Sequence, residues 1–365
     1  MRCAAADSHR SPHSIHLLPN QYLPAWARDY LDLGTFLAID SRDRDTKTLM
    51  PIVRAFLPDE TRISQVHLRT ADLDRLLGFY TGPLGLQLVE RAEGEAVLAA
   101  TENGPAIIVL TEDRTATPRP PEAVGLFHLA IRYATRRGLA EALSRLLQHR
   151  HAIQGASDHK VSEAIYLSDP EGNGVELYVD RPRSEWPWHD GQIAMTTEPL
   201  DLQGLLASMA GRPVPQHVSP GTDLGHIHLQ VADLSVAERF YRDFLGFAVT
   251  QRSYPGALFF SAGGYHHHLA VNTWSGDRPP PANSVGLISY RMEVPEAEII
   301  YCLRNRAPLS GYELRIGMGK NGSELLQIRD PNGTWLEVQY AAALHPAGTR
   351  PASTRKKCPP PLTKT

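Results

Sequence analysis

With cysteine only at Cys3, Cys302 and Cys358 in 365 residues, the sequence lacks the density and spacing of a disulfide-stapled secreted scaffold. A reducing cytoplasm is the expected compartment. No apolar run reaches the length that crosses a bilayer, so no membrane span is expected. The first 30 residues carry Arg2, Asp7, His9, Arg10 and His13 without a sustained apolar core, which argues against a secretory signal. Neither sign of charge dominates: 37 basic and 40 acidic side chains leave a formal charge of -3, no platform for nucleic acid or an anionic membrane. There is no GxSxG elbow, no HExxH helix and no cysteine nucleophile constellation. The glycines of SAGGYHHH do not have the spacing of a phosphate-binding loop. Those absences leave metal chemistry or small-ligand binding, in a chain whose 42% hydrophobic content suffices for a substantial core.

What is present is a repeat at a constant offset of 161 residues. VHLRTADLDRLLGFYTGPLGLQLV at 66–89 lies over IHLQVADLSVAERFYRDFLGFAVT at 227–250, Asp169-Pro170 over Asp330-Pro331, Gly125-Leu126 over Gly286-Leu287, and Glu176 over Glu337. Each half divides again. VHLRT alternates like a strand; Asp72 suits a helix N-cap; Leu73, Leu76, Leu77 and Tyr80 recur at helical spacing until Gly82-Pro83; strand candidates follow at 86–91, 95–101 and 105–111. GLFHLAIRY, IHLQV and GLISYRM open three further units of the same kind. The expected fold is α+β: four βαβββ modules at about 63–115, 122–181, 223–275 and 283–340, paired into two halves with a concave face open for chemistry. By this reading 1–62 is an N-terminal extension, 63–181 and 223–340 are the two domains, and 182–222 is a linker with a short helix near 201–209. The polar, proline-rich end, 341–365, is a flexible tail.

In the first half His67, His128 and Glu176 each sit between apolar neighbours: Val66 and Leu68, Phe127 and Leu129, Val175 and Leu177. Strand alternation sends those neighbours to the opposite face. Two neutral imidazoles and a carboxylate make a facial set for Fe(II) or Mn(II) that leaves positions open for reactants. A buried polar network is the bland alternative for the same three residues. The second half keeps His228 and Glu337 but has Ser289, a poor iron ligand, in place of His128. His268 is the candidate to stand in there, with His266 on its face of a strand and His267 on the other. Near Glu176, His159 could exchange a proton and Tyr166 could hydrogen-bond a ligand oxygen, while Asp169, Pro170, Gly172 and Asn173 encode a turn.

These motifs, with DHKVSEAIYLSDPEGNGVELYVDRPRSEW, GHIHLQVADL and SAGGYHHHLAVNTWSG, resemble the vicinal-oxygen-chelate superfamily over nearly all of 63–340. Within it the chain is similar to the two-half type I extradiol dioxygenases of the bacillar CatE-like catechol 2,3-dioxygenase group. The resemblance implies a glyoxalase/bleomycin-resistance-like fold and a mononuclear Fe(II), with Mn(II) as the alternative ion. It places the ligands at His67, His128 and Glu176, and gives His159, Tyr166 and His268 roles in proton transfer and oxygen positioning. Catechol and O2 are the implied partners, with a homo-oligomer left open. A glyoxalase-like isomerase, a thiol transferase, a hydroquinone-cleaving oxygenase and a noncatalytic aromatic-binding protein are the competing readings of the scaffold.

Overall fold

The structure is a computed structural model that describes residues 57–319 and 322–341, together with an antiparallel pair, Phe36–Ala38 against Met50–Ile52. That pair belongs to a compact unit of its own. Everything below concerns the main unit.

Four βαβββ modules are present. The first contains β1 (Arg62–Thr70), helix α1 (Leu73–Thr81), β2 (Gln87–Ala92), β3 (Glu95–Ala99) and β4 (Ala106–Glu112). The second contains β5 (Gly125–Arg132), α2 (Arg136–Gln148), β6 (Gly155–Asp158), β7 (Ser162–Ser168) and β8 (Gly174–Asp180). The third contains β9 (Asp223–Gln230), α3 (Leu234–Glu238, continued by a π-helical stretch to Leu245), β10 (Ala248–Gln251), β11 (Ala257–Ser261) and β12 (Leu269–Asn272). The fourth contains β13 (Gly286–Val294), α4 (Ala297–Leu309), β14 (Leu314–Met318), β15 (Glu324–Arg329) and β16 (Trp335–Tyr340). In each, the first strand pairs in parallel with the last, which the helical crossover permits.

Local chemistry fixes these elements. Asp72, Thr135 and Asp233 accept hydrogen bonds from backbone amides in the first turns of α1, α2 and α3. Gly246 ends the third helix in the left-handed region at φ 99°. The helices cover one face of each sheet and bury Leu76, Tyr80, Leu139, Leu146, Phe240, Tyr241 and Leu303 against Leu68, Leu129, Leu229 and Met292. The two Asp-Pro turns are tied to helices in the same way. Asp169 accepts from Tyr80 Oη at 3.0 Å and Asp330 from Tyr241 Oη at 2.8 Å, while each carboxylate also collects backbone amides of its own turn.

The two sheets do not follow the two halves of the sequence. The second module joins the third in a nine-stranded sheet through an antiparallel β5–β9 seam, and the fourth joins the first in an eight-stranded sheet through β13–β1. Each sheet therefore takes one module from each repeat. The linker closes onto the nine-stranded sheet: Glu198–Pro199 adds an edge strand to β6, Asp201 caps a short helix at Leu202–Ala207, and Trp186, Ile193 and Met195 pack with Ala257, Phe259 and Tyr265. Cys302 in α4 is disulfide-bonded, which the sparse cysteines did not lead one to expect. Among the described residues no helix is long and apolar enough to cross a membrane.

Candidate metal centre

The concave side of the β5–β9 seam gathers His128, Glu176 and His226, each offering a ligand atom within 4.8 Å of the others, and all three are buried. Glu176 Oε2 lies 3.0 Å from His128 Nε2 and 3.2 Å from His226 Nε2. Burial alone would raise the Glu176 carboxyl, but the facing imidazoles of His226 and His128 outweigh it and hold the group well below the usual carboxylate range. Burial, only partly countered by Glu176, lowers His226 to about 4, so this imidazole keeps its lone pair at neutral pH. His128 Nε2 is buried with no hydrogen-bond partner despite its closeness to Glu176, and so is His226 Nδ1. An orphaned imidazole nitrogen beside an ionised carboxylate and a second neutral imidazole is the donor set of a divalent transition metal, and the residues fit such an ion.

Backbone geometry makes this grouping. The β5–β9 register slips at Phe127, so Phe127 and His128, consecutive residues, both escape the helix-covered core that holds Leu126 and Leu129. Simple alternation, which would bury Phe127 opposite His128, fails at this bulge; Phe127 is 37% exposed. A second slip falls at Gly225, where a Cβ would lie 1.7 Å from Tyr178 Oη, and it turns His226 toward Glu176. Ala130 is register partner to both Glu176 and His226, and its methyl leaves the space between them open.

His67 does not join this group. Its strand β1 lies in the other sheet, and its Nε2 pairs with Thr111 Oγ1 at 2.8 Å. The first module pairs with the fourth, which puts His67 in a different sheet from His128 and Glu176, and His226 of the third module stands where His67 is expected. His226 was missed because the repeat aligns it with Gln65, whereas His67 aligns with His228. The GH dipeptide opening GHIHLQV was the available signal. His228 Nε2 instead meets the Asn272 side-chain amide at 2.9 Å, the counterpart of the His67–Thr111 pair at the same offset.

Tyr166 and His159 do reach the site. Tyr166 is the register partner of Glu176 across β7–β8, and its hydroxyl lies 2.7 Å from His159 Nε2. His159 Nδ1 is 2.6 Å from the carbonyl of Thr196 in the linker. That carbonyl can only accept, so the proton sits on Nδ1 and Tyr166 donates to Nε2. Burial and then Glu176 raise the Tyr166 phenol well above its ordinary value, keeping it a donor.

His268 is elsewhere. It packs on Tyr265, and its Nδ1 accepts from the Ala262 amide. Residues 265–268 precede β12 in irregular backbone, so the alternation expected of a strand does not govern them. His267 is the one against the ligands, its ring 4.1 Å from that of His226. Behind it, His266 Nδ1 lies 2.8 Å from His267 Nδ1, and His266 Nε2 lies 2.8 Å from Asp180 Oδ1.

The eight-stranded sheet carries a counterpart cup, shifted by 161 residues, with the chemistry removed. Gln65 stands for His226, Ser289 for His128, Gln327 for Tyr166 and Arg291 for Ala130; only Glu337 repeats its counterpart, Glu176. Arg291, register partner to both Glu337 and Gln65, places Nε and Nη2 at 3.0 and 2.7 Å from Glu337 Oε2. Ser289 and Gln327 each donate to Oε1 at 3.2 Å. A guanidinium here sits against the carboxylate where the other cup leaves room for an ion.

Residues 62–177 and 223–338 each match the glyoxalase/bleomycin resistance protein/dioxygenase superfamily. The chain belongs to that superfamily. Within this superfamily, the catechol-2,3-dioxygenase of Bacillus subtilis (strain 168) is 42% identical over 279 residues, 75% of this chain and 95% of that protein. Biphenyl-2,3-diol 1,2-dioxygenase 2 of Rhodococcus globerulus is 25% identical over 168 residues, 46% of this chain and 86% of that protein. Among solved structures, one from Bacillus subtilis aligns with a TM-score of 0.56 at 12% identity over 78% of this chain and 86% of its own. Glyoxalase I from Zea mays aligns at 0.51 and 15% identity, over 77% and 92%. At those identities the structures speak to the fold alone.

Proposed function

We propose that this superfamily member is an Fe(II)-dependent extradiol dioxygenase that opens catechol or a substituted catechol with O2, with Mn(II) as the alternative ion. The observation that carries the reading is the two-histidine, one-carboxylate group His128, Glu176 and His226 in a chain 42% identical to a catechol-2,3-dioxygenase across 95% of that protein. Iron(II), when bound, supplies adjacent open coordination positions for the diol and O2 and a route for electron density between them. His128, Glu176 and His226 would hold the ion with one negative charge between them, leaving the site able to accept an anionic diol. Tyr166 donates to His159 Nε2, which the Thr196 carbonyl fixes as an acceptor, so the Tyr166 oxygen can accept a proton at the site as its own passes to His159. All three ligand side chains are buried, which limits the access of bulk water to them. Both atoms of O2 enter the ring-opened product, a hydroxymuconic semialdehyde-like acid, so no external reductant is needed.

The test is oxygen consumption by anaerobically Fe(II)-loaded protein mixed with catechol. One O2 per catechol, with two atoms of label from ¹⁸O₂ in the ring-opened product, is expected. Oxidation to a quinone, or no uptake, would overturn the reading.

A further inference from the structure

The cup that holds the metal group also carries an aromatic wall whose four positions are non-aromatic in the other cup. Phe127, placed on the concave side by the β5 bulge, has its ring 5.4 Å from His128, 4.9 Å from His228 and 5.3 Å from Trp274. Trp274 lies 5.5 Å from His228 and 6.0 Å from Tyr254, and Tyr254 lies 6.0 Å from Phe259. The chain of rings thus runs from a ligand histidine outward to two large apolar side chains left 37% and 45% exposed, Phe127 and Trp274. Trp274 is held in place by its indole N–H to the Pro255 carbonyl at 2.9 Å. At the 161-residue offset the four positions in the other cup are Ile288, Asp113, Glu93 and Leu98. Across the duplication both ligand histidines and all four aromatic side chains stand together in one cup and are replaced in the other, which keeps only Glu337. Structural packing alone would give no reason for that pairing.

Resting on the dioxygenase reading, we infer that Phe127 and Trp274 are specificity-determining residues that bind a planar apolar substituent on the catechol ring, and that aryl-substituted catechols are the favoured substrate class. Phe127 stands against the ligand His128 and Trp274 against Phe127, so a substituent leaving the metal group on that side would meet these rings. Their faces and edges suit a second aromatic ring better than a charged or hydroxylated chain. The unsatisfied apolar area at Phe127 and Trp274 is covered when that ring is present.

The experiment compares catechol with a phenyl-substituted catechol in the Fe(II)-loaded protein, by oxygen uptake. The wild type is expected to show kcat/KM at least about ten-fold higher for the phenyl compound. In Trp274→Ala and Phe127→Ala that ratio falls about five- to ten-fold, through KM for the phenyl compound, while Trp274→Phe retains most of it. Ile288→Ala, at the matching place in the other cup, keeps the wild-type ratio. A wild-type ratio at or below one, or an unchanged ratio in Trp274→Ala, overturns the inference. If neither diol consumes oxygen, the dioxygenase reading fails. Calorimetry of phenylcatechol with metal-free protein then decides the wall separately: at least five-fold weaker binding in Trp274→Ala supports it, and equal affinity overturns it.

Discussion

Replacing Arg291 by methionine should destabilise the fold without touching the metal group, because Arg291 does for Glu337 what an ion does for Glu176. The Glu337 carboxylate is buried, and its two shortest donors are both from Arg291, at 2.7 and 3.0 Å. The ion-pair side chains are only 25% and 10% exposed, so solvent screens them little. Methionine keeps most of the volume but leaves the carboxylate with only the neutral Ser289 and Gln327 donors. Breaking a buried pair from one side costs on the order of 3 kcal/mol, which for a unit of this size lowers the melting temperature by roughly 5 to 10 °C. Removing both partners, Arg291→Met with Glu337→Leu, leaves no uncompensated charge and should cost less than about 1.5 kcal/mol. The assay is a double-mutant cycle by chemical denaturation at neutral pH, with metal content measured alongside. A single-variant loss under about 0.5 kcal/mol, or a double variant less stable than Arg291→Met, would refute the idea that this guanidinium neutralises a relic carboxylate.

The reciprocal change, Ala130→Arg, should place a guanidinium against Glu176 and cut metal retention by at least about ten-fold, measured as iron bound per chain after desalting. Tyr166→Phe removes the hydroxyl that meets His159 at 2.7 Å; kcat for catechol should fall by roughly 100-fold with iron content unchanged, and iron loss would show a structural role instead. Burial raises the Asp330 carboxyl from 3.8 to about 6 in spite of its donors. A folded-state pKa above the unfolded one stabilises fully below about pH 4, and that increment is lost as pH rises through 6. Unfolding free energies at pH 4 and pH 7 should therefore differ less in Asp330→Asn than in wild type, by up to about 3 kcal/mol.

The sequence exposes the local rules and hides the long-range ones. The repeat, the Asp72 cap, the helix through Tyr80 and the strands of every module are legible because each depends on neighbours a few residues apart. Which modules share a sheet depends on pairing between first strands, and an alternating pattern such as VHLRT carries no label for its partner edge. That is why His128 and Glu176, on paired strands of one module, are legible together, while the third member is expected at His67 and stands at His226. The bulges at Phe127 and Gly225 had the same effect on a finer scale, since one extra residue reverses the face of everything before it. The aromatic wall follows from one of those bulges and was invisible for the same reason.

The central claim is that the metal is held between the second and third modules by His128, Glu176 and His226, and nowhere in the other cup. Anaerobic Fe(II) titration of wild type, His226→Ala and His67→Ala, read by bound iron per chain, tests it directly. One iron per chain is expected in wild type and in His67→Ala, with affinity in His226→Ala weakened by at least about 100-fold. Iron retained by His226→Ala and lost from His67→Ala would contradict the account.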